Sequence, residues 1–88
     1  MEAFRARIDE IDGDLLRLLR QRMDVSRSIG AYKKKHNVAI VQAGRWDQLL
    51  SGVLEQAAAL GLSEKTVRTI MNAIHEESVR MQEPDELN

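Results

Sequence analysis

The chain is 88 residues long, carries 13 Lys+Arg against 14 Asp+Glu, and contains no cysteine. Near-neutral charge gives no electrostatic case for nucleic acid or an anionic membrane, and the lack of cysteine excludes disulfides, thiolate nucleophiles and cysteine-based zinc sites. No apolar run approaches the roughly 18 residues of a membrane span, nothing at the N-terminus resembles a signal peptide, and Phe4, Tyr32 and Trp46 are too few for a nucleic-acid stacking platform. A cytoplasmic protein of one domain is expected, with no partner among nucleic acids or membranes. A lone domain of this size buries only somewhat more than about 60% of the surface its unfolded chain exposes, so oligomerisation would help it.

Phe4 to about Lys35 reads as one long amphipathic helix. Its apolar seam runs Met1, Phe4, Ile8, Ile11, Leu15, Leu18, Arg22, Val25, Ile29, Tyr32 in heptad spacing, with Arg22 the single charged residue in it. A guanidinium stays protonated in a protein, and burying it without an anion costs several kcal/mol, so the seam asks for an anion at Arg22. Lys33 lies eleven residues on, within about 20° of Arg22 on the same face, with Ser26 and Ile29 between them. Arg5 stands seventeen residues before Arg22, about 26 Å along the axis. If Arg5 joins the same site, it must come from a second chain running antiparallel.

Gly13 and Gly30 each weaken the helix by about 1 kcal/mol relative to alanine. Each reads either as a tolerated surface glycine or as a point of close backbone approach, and the place of Gly30 beside the Ser26 and Lys33 stripe favours close approach there. The helix is expected to end near His36 and Asn37, because asparagine tolerates the left-handed conformation after a helix and Lys33 to Lys35 suit its C-terminus. Asn37 to about Gln42 follows as a loop whose apolar centre, Val38 to Val41, packs on the core.

The second helix is expected from about Ala43 or Gly44 to Leu60, with Trp46, Leu49, Leu50, Val53, Leu54, Ala57 and Leu60 on one stripe. Gly61 is placed to end it, Leu62 to give the apolar contact that follows, and Ser63 to cap a third helix reaching about Met81 or Gln82. The apolar arc of that helix is Val67, Ile70, Met71, Ile74 and Met81, with Ser78 and Gln82 at its border, four residues apart on one face. Residues 83–88 read as an acidic frayed tail.

The histidines, His36 and His75, belong to no cluster with metal-ligand spacing, and no nucleophile stands beside a base, so neither hydrolytic nor metal chemistry is expected. His75, with Glu76 and Glu77, reads as part of a solvated helix face. What remains is a cationic set, Arg5, Arg22, Lys33 and Arg45, with Ser78 and Gln82 as neutral donors. Such a set suits a small polyanion whose carboxylates guanidiniums grip in bidentate fashion.

Arg5 in FRARIDEID, Arg22 in LLRLLRQRM, Lys33 in IGAYKK, Arg45 opening the second helix, and Ser78 and Gln82 in IHEESVRMQ occur in an order and spacing that resemble the all-α chorismate mutase family. The resemblance covers about residues 3 to 82 and places the domain at residues 1–82. It implies an all-α fold of three helices, the long N-terminal one pairing antiparallel in an intertwined homodimer with two equivalent sites. It also implies the cofactor-free rearrangement of chorismate to prephenate in phenylalanine and tyrosine biosynthesis.

On matching positions, Arg5 of one chain and Arg22 of the other would clamp the carboxylates, and Lys33 and Gln82 would stabilise the ether oxygen. Arg45, Ser78, Gln42 and Trp46 would complete the substrate-binding set. The family usually opens its second helix with Asp-x-x-Arg-Glu, the Glu accepting a hydrogen bond from the substrate's ring hydroxyl; here Gln42, Ala43, Gly44, Arg45 and Trp46 stand there. Trp46 cannot accept that bond, and it reads either as a core residue or as a ligand contact. The Arg45-Trp46 pair and IHEES also resemble mutase domains fused to DAHP synthases, which makes such a synthase domain a candidate partner and prephenate sensing a candidate role. An isochorismate pyruvate lyase or an aminodeoxychorismate mutase on the same scaffold is a further alternative. A plain coiled coil is disfavoured, since it would leave Arg22 unpaired in its seam.

Overall fold

The computed structural model describes residues 1–83; the proposed tail beyond Glu83 lies outside the described residues. Three helices make up the fold, α1 (Glu2–Lys35), α2 (Arg45–Ala59) and α3 (Glu64–Gln82), and no strand occurs among the described residues. At 1.5 Å per residue the 34 residues of α1 span about 51 Å, which accounts for the 52 Å long axis of the molecule. The other two helices fold back beside its C-terminal half. α3 is the element that packs on both others.

The helix ends follow local chemistry. Asn37 adopts φ 56°, the Val38 amide donates to the Lys33 carbonyl at 2.8 Å, and the Asn37 amide reaches the Lys34 carbonyl, so α1 closes as a Schellman motif on asparagine. α2 closes the same way on Gly61 (φ 72°), with the Leu62 amide donating to the Ala57 carbonyl at 2.9 Å. The Ser63 hydroxyl accepts from the Thr66 amide at 3.2 Å and caps α3.

α2 begins one to two residues after the expected Ala43 or Gly44, at Arg45, the residue expected to open it and the one just ahead of Trp46, where the apolar stripe begins. Gly44 is left-handed (φ 79°), and the Arg45 amide bonds back to the Gln42 carbonyl at 3.2 Å, so residues 42–45 form a turn and the helix starts at Arg45. α1 in turn starts at Glu2, two residues before the expected Phe4, with Met1 in the cap position. In the connector Val38 and Ile40 are half-buried, whereas Val41 is exposed, so only part of its apolar centre packs.

The single chain encloses very little. Leu50 and Ala57 are its buried apolar residues, joined by the buried polar pair Ser26 and Ser78 and by Gly30. Most of the α1 seam is bare: Phe4 is 72% exposed, Leu15 59% and Leu18 60%. Leu60 and Ile70 also stand exposed on their stripes, because α2 touches α3 and not α1. The accessible surface of 7282 Å² compares with about 5,200 Å² for a compact chain of this mass. The radius of gyration, 16.0 Å, likewise exceeds the roughly 12 Å of a compact 88-residue domain. Among the described residues no helix is long and apolar enough to cross a membrane.

Candidate functional site

Residues 22, 26, 29 and 33 recur at helical spacing and lie on one face of α1, and that face meets α3. The approach is closest at Gly30. A Cβ built there would lie 2.5 Å from the Gln82 Cα and 2.8 Å from its carbonyl carbon, so only glycine lets the two backbones come this near. That crossing brings the polar side chains of the two helices into register.

Arg22 Nη1 donates to Ser78 Oγ at 3.0 Å, and Ser78 shares a second, buried hydrogen bond with Ser26. Lys33 Nζ donates to the Ile40 carbonyl at 2.6 Å and to Gln82 Oε1 at 2.8 Å. These contacts settle the chemistry of the free positions. An ammonium has three donors and no acceptor, so two of its protons are held and one remains. Because lysine can only donate, Gln82 must turn its oxygen toward Lys33, which leaves its amide NH₂ as a second free donor.

These residues line one side of a cleft of about 390 Å³. The other side comes from the connector and α2, with Ile40, Val41, Gln42, Arg45, Trp46 and Leu49. Three cations, Arg22, Lys33 and Arg45, face this space, and no carboxylate is among its lining residues. Arg45 is the first residue of α2, where the helix dipole is itself positive, so the guanidinium and the helix end reinforce one another. The apolar remainder, with Val25, Ile29 and Val79, makes the cations act in a partly desolvated space. An organic dianion of small size matches that lining. Among the described residues no group of His, Asp or Glu is arranged to hold a metal ion.

Of the residues singled out from the sequence, Arg22, Lys33, Gln42, Arg45, Trp46, Ser78 and Gln82 all line this one cleft. Gln42 and Arg45 are exposed at its rim, whereas Trp46 is half-buried. Arg5 is not brought to it within the chain; it is exposed near the free end of α1 and pairs with Glu2 at 3.6 Å. His75 departs from the expectation of a solvated face. It is half-buried, lines the cleft and stacks on Trp46, ring centroids 4.0 Å apart and planes 11° from parallel. Its signal was its spacing: 75, 78 and 82 share one face of α3. The Ile40 carbonyl, which holds Lys33, had no signal, because any residue supplies a carbonyl. The one guanidinium whose pKa is raised, Arg80, is held by a hydrogen bond and charge from Glu77 and lies outside the cleft.

The sequence pattern described as chorismate mutase type II matches residues 4–83. The chain belongs to the type II chorismate mutase family. Two relatives were found that are named 4-amino-4-deoxychorismate mutase. The one from Streptomyces pristinaespiralis is 34% identical over 94% of this chain and 64% of its own length. The one from Streptomyces venezuelae is 31% identical over 94% of this chain and 81% of its own. The chain thus spans somewhat under two thirds of the first relative. No solved structure gave a significant match. The cleft of this member of the type II chorismate mutase family is formed by α1, α3, the connector and the start of α2.

Proposed function

We propose that the chain rearranges chorismate to prephenate in a site completed by a second copy of itself. The observation that carries this reading is the Lys33 ammonium, fixed by the Ile40 carbonyl and Gln82 in a cleft of three cations without a carboxylate. In the reaction the ether C–O bond breaks while a new C–C bond forms within the same molecule, so no proton, electron or co-reactant is exchanged. The work left to the protein is to hold a dianion in its compact form and to meet the charge that gathers on the ether oxygen. The free proton of Lys33 and the free NH₂ of Gln82 are fixed donors for that oxygen, and fixed donors need no reorganisation as charge develops. Arg22, backed by Ser78, clamps one carboxylate, and Arg45 at the rim receives the other end of the substrate.

The bare seam of α1 supports the second copy. The surface in excess of a compact chain, about 2,000 Å², is on the scale that stable interfaces bury. An antiparallel partner laid along the seam carries its Arg5 across the roughly 26 Å that separate the two ends of the helix, to the neighbourhood of Arg22.

A second reading is favoured by the names of the two relatives: 4-amino-4-deoxychorismate as substrate, rearranged by the same bond changes. The two readings are separated by supplying each compound to the purified protein and following loss of ultraviolet absorbance, with products identified by mass. Turnover of chorismate well above that of the amino compound supports the first reading, the reverse order supports the second, and turnover of neither overturns both.

A further inference from the structure

The cleft has one wall that its cationic chemistry does not explain. There Trp46 and Leu49 of α2 meet Val79 and His75 of α3, three apolar side chains and one imidazole. His75 lies flat against the indole, planes 11° apart, so the stack fixes the plane of the imidazole and leaves its nitrogen-bearing edge as the polar feature of the wall. Neither ring nitrogen takes part in a hydrogen bond among the described residues. No buried side-chain polar atom among the described residues lacks a partner, so these nitrogens are open to solvent, where a bound molecule can reach them.

The surrounding chemistry narrows what that partner is. Lys33 and the guanidiniums only donate, and the Gln82 oxygen is already occupied by Lys33. Ser26 and Ser78 are engaged with one another. The imidazole of His75 offers a ring nitrogen as acceptor inside the cleft, besides the amide oxygen of Gln42 at the rim, and it brings no negative charge. A carboxylate at this wall would attract an ammonium by its charge; an imidazole offers a hydroxyl its hydrogen bond without that pull.

We infer that His75, held by Trp46, is a specificity-determining residue that accepts a hydrogen bond from a neutral hydroxyl on the ring of the bound dianion. The inference rests on the proposed site and deepens it, by naming which ring substituent the cleft reads and which side chain reads it. It assigns to a histidine on α3 the recognition that Trp46, on α2, is unable to perform. The pair acts as one unit, with Trp46 the positioning residue and His75 the contact.

The test uses a bicyclic ether dicarboxylate that mimics the rearranging substrate, prepared with and without the ring hydroxyl, and measures binding of both by calorimetry. His75→Phe keeps an aromatic ring on the indole and removes both nitrogens; His75→Gln restores an acceptor without the stack. The wild-type protein is expected to prefer the hydroxylated compound by roughly tenfold, the scale of one net hydrogen bond in a polar site. His75→Phe should erase that preference while leaving the affinity for the compound without the hydroxyl within about twofold, and His75→Gln should recover part of it. Equal loss for both compounds in His75→Phe, with the variant folded by circular dichroism, would overturn the inference and make His75 a packing residue. An unchanged preference in His75→Phe would overturn it as well. Failure of the wild-type protein to bind either compound would instead count against the proposed function, so the two failures are distinguishable.

Discussion

Replacing Gly30 by alanine would insert a methyl group into the crossing of α1 and α3. The new Cβ would lie 2.5 Å from the Gln82 Cα and 2.8 Å from its carbonyl carbon, and it would also meet the Gln82 carbonyl oxygen. Carbon atoms in ordinary contact stand about 3.5–4.0 Å apart, so the helices must separate by about 1 Å. Every atom met is backbone, and no flexible side-chain end can yield. Overpacking of this kind costs about 1–3 kcal/mol, against which the better helix propensity of alanine returns up to about 1 kcal/mol. The expected net loss is about 1–2 kcal/mol. Function should suffer more than stability, because the same displacement moves Gln82 from Lys33, and a shift of about 1 Å in a positioned donor can cost about a hundredfold in rate. The assay is a urea unfolding curve at fixed protein concentration, paired with kcat. Gly52→Ala is the control: nothing stands within 4 Å of a Cβ there, so that variant should gain up to about 1 kcal/mol and keep its activity. A Gly30→Ala protein with wild-type midpoint and wild-type kcat would refute the close approach and the alignment it sets.

Arg22→Ala should abolish activity, at least about a hundredfold in kcat/KM, while the unfolding midpoint moves by no more than about 1 kcal/mol, since the side chain makes one hydrogen bond and is only half-buried. A fully active variant would show that the clamp is assigned to the wrong residue. Lys33→Met keeps the length of the side chain but strands the Ile40 carbonyl and the Gln82 oxygen; it should lose about 1–3 kcal/mol of stability and nearly all turnover, and a normal rate would exclude the ammonium from the chemistry. Ser63→Ala removes the cap of α3 and should lower stability by about 1 kcal/mol without changing kcat; no change in the midpoint would mean the cap contributes nothing.

The elements most legible in the sequence were those whose signals are local. The seam of α1 follows from heptad spacing alone, and both Schellman ends were written in single residues, Asn37 and Gly61. Arg22, Ser26 and Lys33 could be placed on one stripe by angle, and Ser78 and Gln82 on another, before anything showed that the stripes meet. What joins them is the crossing at Gly30, a contact between segments some fifty residues apart that no periodicity encodes. The same limit hid His75: its neighbours Glu76 and Glu77 suggested water, but its own ring turns to an indole on another helix. The turn from Gln42 to Arg45 that sets the first residue of α2 lies ahead of the apolar stripe, which starts at Trp46, so periodicity left that boundary open by a residue or two.

The central claim is that each working site draws on two chains, and mixing two inactive variants tests it most directly. Arg5→Ala and Lys33→Ala proteins are each expected to be inactive alone, since every site in either homodimer lacks one of the two cations. Unfolded together and refolded as a mixture, they should form heterodimers in which one site pairs an intact Lys33 with an intact Arg5 from the other chain. Random pairing should then restore about a quarter of wild-type activity. Recovery at that level would establish the shared site, and no recovery, with heterodimers demonstrated by mass, would contradict it.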